Sequence, residues 1–195
     1  MAIVLTLLGY LIGSVSSAII VSRLMRLPDP RSEGSGNPGA TNVLRLGGKK
    51  AAAITLAFDI FKGIVPVVIA TSLTNINWII ALCGFAAFLG HLFPVFFGFK
   101  GGKGVATALG VYLGFSVGLG VTAIAVWLFV ALASRFSSLG SLTAVTLTPV
   151  MASISPSGFS YILICLLIGA LVFWRHKENI KRLTNGTESK INLGS

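Results

Sequence analysis

The chain has 195 residues and a net charge of +10, with 54% hydrophobic and only 10% charged residues, where a soluble domain carries roughly a quarter charged. Charged side chains are missing from Met1 to Ser22, Asn77 to Phe99, Gly104 to Ser134 and Phe136 to Trp174, and each gap is at least as long as the ~20 apolar residues that cross ~30 Å of hydrocarbon. A soluble globular core is excluded, and so is nucleic acid as the partner of the positive charge: the basic residues are fenced between apolar segments, which points to anionic lipid or an anionic substrate.

The expected class is all-α, a polytopic membrane protein. A first span covers about Ala2 to Ser22; it has no basic leader and no small-residue cleavage site followed by a polar chain, so it reads as a retained helix. A polar stretch follows from Arg23 to Lys50, then a second span from about Ala51 to Leu73, a turn at Thr74 to Asn77, and a third span from about Trp78 to Pro94. Gly104 to Ser134 is 31 uncharged residues, on the order of 46 Å as a helix, too long for one comfortable crossing. Gly114, Gly118 and Gly120 predict a turn within it. Phe136 to Trp174 adds 39 more, interrupted by Ser153, Ser155, Pro156, Ser157 and Gly158, and also reads as two helices.

Charge settles the count at seven transmembrane helices, with the N-terminus outside and the C-terminus cytoplasmic. The six Lys/Arg of Arg23 to Lys50, the pair Lys100 and Lys103, Arg135 and the five Lys/Arg after Trp174 then all face the cytoplasm, and the outer turns have none. Trp78 and Trp174 fall near opposite interfaces. Cys83 and Cys165 lie in apolar runs with no CxxC or histidine neighbour and read as packing. Without an internal repeat or low-complexity tract, residues 1 to 195 form a single expected domain.

Three polar segments share the expected cytoplasmic face. The first, Ser35 to Arg45, contains Asn37, Pro38, Gly39, Thr41 and Asn42. Gly and Pro let the backbone turn its N–H groups toward an anion, Ser35, Thr41 and Asn42 add neutral donors, and Arg45 adds a two-pronged one. A plain turn with a helix cap before Ala40 fits the spacing equally well. The second segment, Gly90 to Thr107, interleaves Gly101, Gly102 and Gly104 with Lys100 and Lys103 directly before an apolar helix. Unpaired amides and the positive end of the helix dipole would meet a phosphate there; the alternative is a flexible basic turn that fixes topology. It is no Walker A loop, since Phe97 stands five residues before Gly102 and Gly104 follows Lys103.

The third segment, Arg175 to Glu188, carries His176 and Asn179 and reads either as part of a site or as an amphipathic tail drawn to anionic headgroups. A histidine at the interface can act as base or as donor to a phosphoryl oxygen near neutral pH. Asp59 and Lys62, three residues apart on the second span, are expected to pair with each other for structure rather than to touch substrate.

The three ordered segments resemble a known family over the whole chain: the bacterial acyl-phosphate:glycerol-3-phosphate acyltransferases, the PlsY family, whose motifs match Ser35 to Arg45, Gly90 to Thr107 and His176 to Glu188. The resemblance implies a seven-helix enzyme of the cytoplasmic (inner) membrane. It would transfer a long-chain acyl group from acyl phosphate to the sn-1 hydroxyl of glycerol 3-phosphate, giving lysophosphatidic acid. It implies no metal, nucleotide or other cofactor, and as partners membrane lipid and a soluble enzyme that makes the acyl phosphate. Ser35, Arg45, Lys103, His176 and Asn179 would be catalytic. Asn37, Gly39, Thr41, Asn42, Lys100, Gly101, Gly102 and Gly104 would bind substrate, and Glu188, with Asp59 and Lys62, would hold the structure.

The chemistry agrees. An acyl phosphate already carries a good leaving group, so the protein needs cations and N–H donors for two phosphates and an apolar groove for the chain. A His-x4-Asp pair is missing, since Phe96 and Lys181 stand five residues after His91 and His176, and no Ser or Cys triad supports an acyl-enzyme. The proton of the attacking hydroxyl is left with two acceptors, His176 or the substrate's own phosphate. A transporter for an organic phosphate is the competing class, but it needs polar groups on the outer side. A metal-dependent CDP-alcohol phosphotransferase needs more aspartates than Asp29 and Asp59.

Overall fold

A computed structural model describes residues 1–154 and 158–191, so the expected break at Ser155, Pro156 and Ser157 lies outside the described residues. Among these, the chain is helical throughout: α1 (Ala2–Gly13), α2 (Ser17–Leu24), α3 (Ala40–Leu73), α4 (Asn77–Leu92), a 3-10 turn (Val95–Phe97), α5 (Val105–Phe115), α6 (Val117–Ser134), α7 (Ser137–Ala152), α8 (Phe159–Arg175) and α9 (Lys177–Thr184). Four stretches are long and apolar enough to cross a membrane, Ala2–Leu24, Ala40–Leu73, Asn77–Phe97 and Val117–Ser134, and a fifth is added if α8 and α9, bent by 62°, count as one. Large apolar side chains face outward, with Phe58, Phe61 and Phe129 63%, 62% and 74% exposed. Such a surface is stable only against lipid.

Three boundaries differ from the sequence reading, each for a physical reason. The first span is broken between Gly13 and Ser17, which frees the Val15 carbonyl to accept a hydrogen bond from Lys62 Nζ at 2.8 Å. Irregular backbone at membrane depth survives where protein groups satisfy it in this way. The second begins at Ala40 rather than near Ala51 and bends at Gly48, whose φ of 76° and ψ of −175° suit only glycine. The turn within Gly104 to Ser134 falls at Ser116, extended at φ −162° and ψ 131°, not at a glycine. Gly114 and Gly120 are instead contact points, a Cβ on them meeting Val67 and Leu113.

Side-chain contacts give the helix directions. Gly9 packs on the Cys83 carbonyl and Gly13 on that of Ala87, so α1 and α4 run parallel. Cys83 Sγ reaches the Pro66 carbonyl at 3.3 Å while Asp59 lies beside His91, so α3 and α4 run antiparallel. Gly63 abuts Thr107 and Gly114 abuts Val67, which makes α3 and α5 parallel and brings their backbones close, as small residues do between membrane helices. The rings of Phe115 and Tyr161 stack at 4.2 Å, joining the end of α5 to the start of α8. Trp127 Nε1 donates to Ser141 Oγ at 3.2 Å across the α6–α7 hairpin. Direction therefore alternates from α1 through α3, α4, α5, α6 and α7 to α8, and the charged connections all lie at one end. Trp174 sits there beside Phe93, whereas Trp78 meets Phe159 at the other.

Candidate active site

The glycine loop is the centre of the polar end. After the 3-10 turn, Gly98 and Phe99 are left-handed, at φ 65° and 59°, which turns the chain back over the end of α4. Among the described residues, no acceptor pairs with the backbone N–H of any residue from Lys100 to Thr107. The first turn of α5 and the loop before it thus present a run of unspent donors, reinforced by the helix dipole. The opposite polarity is occupied: Arg175 Nε donates to the Gly102 carbonyl at 3.0 Å, and its Nη2 to those of Gly101 and Gly102 at 2.6 and 2.9 Å. Beneath the loop there is no spare room. A Cβ on Gly101 would strike the carbonyls of His91 and Leu92, and one on Gly102 would strike His91 Nε2 and the Pro38 carbonyl.

Lys103 extends from this loop and donates to Asn179 Oδ1 at 2.5 Å. Burial pushes its pKa down to about 8; Glu188 pulls it up, and the positive charges of Arg182, Arg175 and Arg45 push it down again. Cations of the first and third polar segments are therefore close enough to act on the ammonium group of the second. An ammonium partly stripped of water and crowded by like charge has an unmet demand for an anion.

The third segment is pinned by Glu188. Its Oε1 accepts from Ser138 Oγ at 2.7 Å and Asn179 Nδ2 at 2.6 Å, and its Oε2 from Arg182 Nε at 2.7 Å. Burial acts to raise its pKa, but these three donors outweigh it and hold the carboxyl below its usual range. The chain Glu188, Asn179, Lys103 fixes the Asn179 amide with its oxygen toward the ammonium and its NH2 toward the carboxylate. His176, between α8 and α9, is only 3% exposed, and its Nδ1–H meets the Val172 carbonyl at 2.8 Å. Burial, followed by the nearby Lys103 charge, lowers its pKa to about 4, so the ring is neutral at physiological pH.

The first segment is built around Asn42, buried at 1% exposure. Its Oδ1 accepts from Ser35 N–H at 2.9 Å, and its Nδ2 donates to the Pro30 and Glu33 carbonyls, both at 2.9 Å. Asn42 is thus spent on shaping the loop. Ser35, Thr41 and Arg45 are exposed, and Gly39 is the residue before α3 with no side-chain cap. Asn37 joins Lys103, Trp174, Arg175, Lys177 and Glu178 around a polar pocket of about 180 Å³, while Lys100 points to the exposed rim of the loop.

Asp59 and Lys62 lie deeper, paired at 2.8 Å. Ser17 Oγ donates to the same Asp59 oxygen at 2.5 Å, His91 Nδ1 is 3.5 Å from it, and Thr107 Oγ1 is 3.1 Å from that nitrogen. This network supports the floor of the loop through His91 and does not line the pocket. A groove of about 410 Å³ runs between α7 and α9 and reaches the end of α8, lined by Leu139, Leu142, Phe173, Ile180 and Leu183. Leu139 and Ile180 follow Ser138 and Asn179 directly in sequence, so the groove lies beside the network that holds Glu188. Sequence reasoning missed Arg175, Ser138 and His91; the only signal was Arg175 and His91 lying next to, or inside, segments already singled out.

Residues 3–186 match the family model described as glycerol-3-phosphate acyltransferase. The chain belongs to that family. It is 57% identical over 191 residues to the glycerol-3-phosphate acyltransferase of Thioalkalivibrio sulfidiphilus, covering 98% of this chain and 94% of the relative. The Methylococcus capsulatus family member is 54% identical over 183 residues, 94% of this chain and 92% of its own. Among solved structures, PlsY, an integral membrane glycerol 3-phosphate acyltransferase, in its glycerol 3-phosphate form aligns with a TM-score of 0.93 at 40% identity, over 98% of this chain and 96% of that one. A second form, with lysophosphatidic acid, gives 0.91 at 39% identity, over 98% and 95%. Like these family members, the chain is a multi-pass helical membrane protein.

Proposed function

We propose that residues 1–195 form a single acyltransferase domain that moves a fatty acyl group from acyl phosphate to the sn-1 hydroxyl of glycerol 3-phosphate. The products are lysophosphatidic acid and phosphate, a step of bacterial phospholipid synthesis. The observation that carries this reading is the meeting at Lys103 of the first and third polar segments, through Arg45 on one side and Asn179, Arg175 and Arg182 on the other, beside a loop whose amide donors are unspent. It is supported by family membership and by the glycerol 3-phosphate and lysophosphatidic acid forms of the structural relative. The alternating helix directions support seven spans, with the N-terminus outside and this end facing the cytoplasm across the inner membrane. A soluble producer of acyl phosphate would deliver its product there.

In the proposed reaction the glycerol 3-phosphate hydroxyl attacks the acyl carbonyl. A new C–O bond forms, the bond from that carbon to the phosphate oxygen breaks, and phosphate leaves with its electron pair. Gly101, Gly102, Gly104 and Lys100 bind the phosphate of glycerol 3-phosphate through amides and charge. Lys103, oriented by Asn179, and Arg45 stabilise charge developing on the acyl phosphate, and Ser35, Asn37, Gly39 and Thr41 line the approach. The groove between α7 and α9 takes the acyl chain. His176 is a poor proton acceptor with a pKa near 4, since a base works best with a pKa near the operating pH; the substrate phosphate takes the hydroxyl proton instead.

The test is to incubate the purified protein in detergent with acyl phosphate and labelled glycerol 3-phosphate, without metal or nucleotide. Lysophosphatidic acid is the expected product; vesicle uptake of glycerol 3-phosphate with no product would replace the enzyme by a transporter. If the activity of the His176→Ala variant stays measurable with an unshifted pH profile, the substrate-assisted route stands. Loss of one titrating limb in that variant would reinstate a histidine base.

A further inference from the structure

Anion binding by backbone amides requires that the neighbouring carbonyls face elsewhere, because a peptide plane turns both groups together. In a glycine-rich loop nothing intrinsic enforces this, since glycine populates both hands of the Ramachandran map. The Gly101 and Gly102 carbonyls are nevertheless held by three hydrogen bonds from one guanidinium, that of Arg175. We infer that Arg175 is a positioning residue: its guanidinium clamps the two consecutive carbonyls and thereby fixes the two peptide planes whose opposite edges, the N–H groups of Gly102 and Lys103, are left without a protein partner among the described residues to take a phosphate.

Arg175 is itself fixed from two sides. Its Cζ lies 5.9 Å from the Phe93 ring centroid and 5.6 Å from that of Trp174, distances at which an aromatic face attracts a cation. Phe93 follows α4 and Trp174 belongs to α8, so the clamp joins two helices to the loop. On the far side, His91 Nε2 and the Pro38 carbonyl leave no volume for a Cβ on Gly102. Held at its carbonyls and backed by His91, the loop has one orientation left. Lysine cannot replace this function: an ammonium is a point charge without the rigid fork that reaches two carbonyls and lies flat against rings. The charge alone also opposes the purpose, because Arg175 is among the groups that depress Lys103.

The phosphate in question is the one assigned to the loop above, so the inference rests on that reading. Arg175→Lys and Arg175→Ala are compared with wild type for the KM of each substrate, for kcat and for thermal midpoint in detergent. Both variants are expected to raise the KM for glycerol 3-phosphate by at least about tenfold, with the KM for acyl phosphate and kcat changed by less than about threefold and the midpoint nearly unchanged. A lysine variant close to wild type would show that charge alone matters and overturn the clamp. A loss confined to kcat, or a variant that no longer folds, would overturn it too. Calorimetric titration with inorganic phosphate gives the same comparison without turnover: wild type binds and Arg175→Lys binds at least about tenfold more weakly. Equal binding by the two refutes the clamp even if wild type makes no lysophosphatidic acid, an outcome that refutes the acyltransferase reading alone.

Discussion

At the scale of single residues, the site stores its specificity in two shifted titrations. Lys103, with a pKa near 8, is only about half protonated in the empty site at that pH. A phosphate dianion brought against it favours the ammonium and raises the pKa, so binding must take up a proton. The phosphate of the acyl phosphate assigned to Lys103, like other phosphate groups with a second pKa of about 6, is already dianionic there and contributes none. Calorimetry at pH 8.5 in buffers of different ionisation heat is expected to show uptake of a fraction of a proton, and Lys103→Arg should abolish it. Equal proton uptake in the arginine variant would remove Lys103 from the anion site. His176 works in the other direction, through stability. Its pKa falls from 6.5 to about 4 on folding, so between those values the unfolded chain binds more protons and stability rises with pH. Thermal midpoints of wild type should therefore drop as the pH falls from 6.5 toward 4, by up to about 3 kcal/mol of stability. His176→Gln should flatten that slope while leaving the midpoint at pH 8 little changed.

At the scale of elements, the apolar runs made most helices legible and hid their irregularities. Hydropathy located α4, α6 and α8 to within a few residues, because a membrane segment is chosen by length and apolarity alone. It could not show the break at Ser14 to Ser16, which exists because Lys62, a whole helix away in sequence, needs the Val15 carbonyl. Nor could it show that Asn42 braces its own loop, or that Arg175, outside the matched third motif, holds the second. The last role depends on partners 73 and 74 residues distant. Gly48 was similarly silent, one glycine of a Gly-Gly pair, yet its φ of 76° sets the angle between the short helix bearing Arg45 and the membrane part of α3. Gly48→Ala should cost about 1–3 kcal/mol in backbone strain and, by swinging Arg45 away from Lys103, lower kcat/KM by roughly tenfold or more. Gly47→Ala is no neutral control, because a Cβ there meets Leu27; Lys50→Ala, exposed and two residues past the bend, is the better one. Glu188 is the corresponding tie for α9. Glu188→Ala strands Ser138, Asn179 and Arg182 together and is expected to lower the thermal midpoint by several degrees along with activity, with Glu188→Gln recovering part of both.

At the scale of the whole molecule, the two ends differ in kind. One carries the glycine loop, Arg135 and the segment after α8, tied together by Ser138 to Glu188 and by the Ile191 N–H to the Arg135 carbonyl. The other is made of the start of α1, the turn at Thr74 to Asn77 and the bend at Ser116, and carries no charged side chain. Positive charge is retained on the cytoplasmic side of a membrane, which is the basis of the proposed orientation. This is open to direct measurement because the native thiols are silent: Cys83 and Cys165 are 1% and 0% exposed. Single reporters at exposed positions, Glu33→Cys and Asn185→Cys on one end and Asn75→Cys and Val117→Cys on the other, are treated with a membrane-impermeant maleimide. In intact cells the second pair should be labelled and the first protected; in inverted vesicles the pattern should reverse. Wild type should take no label in either. Labelling of Glu33→Cys and Asn185→Cys from opposite sides would separate the first and third polar segments, and with them the shared environment of Arg45, Lys103 and Glu188.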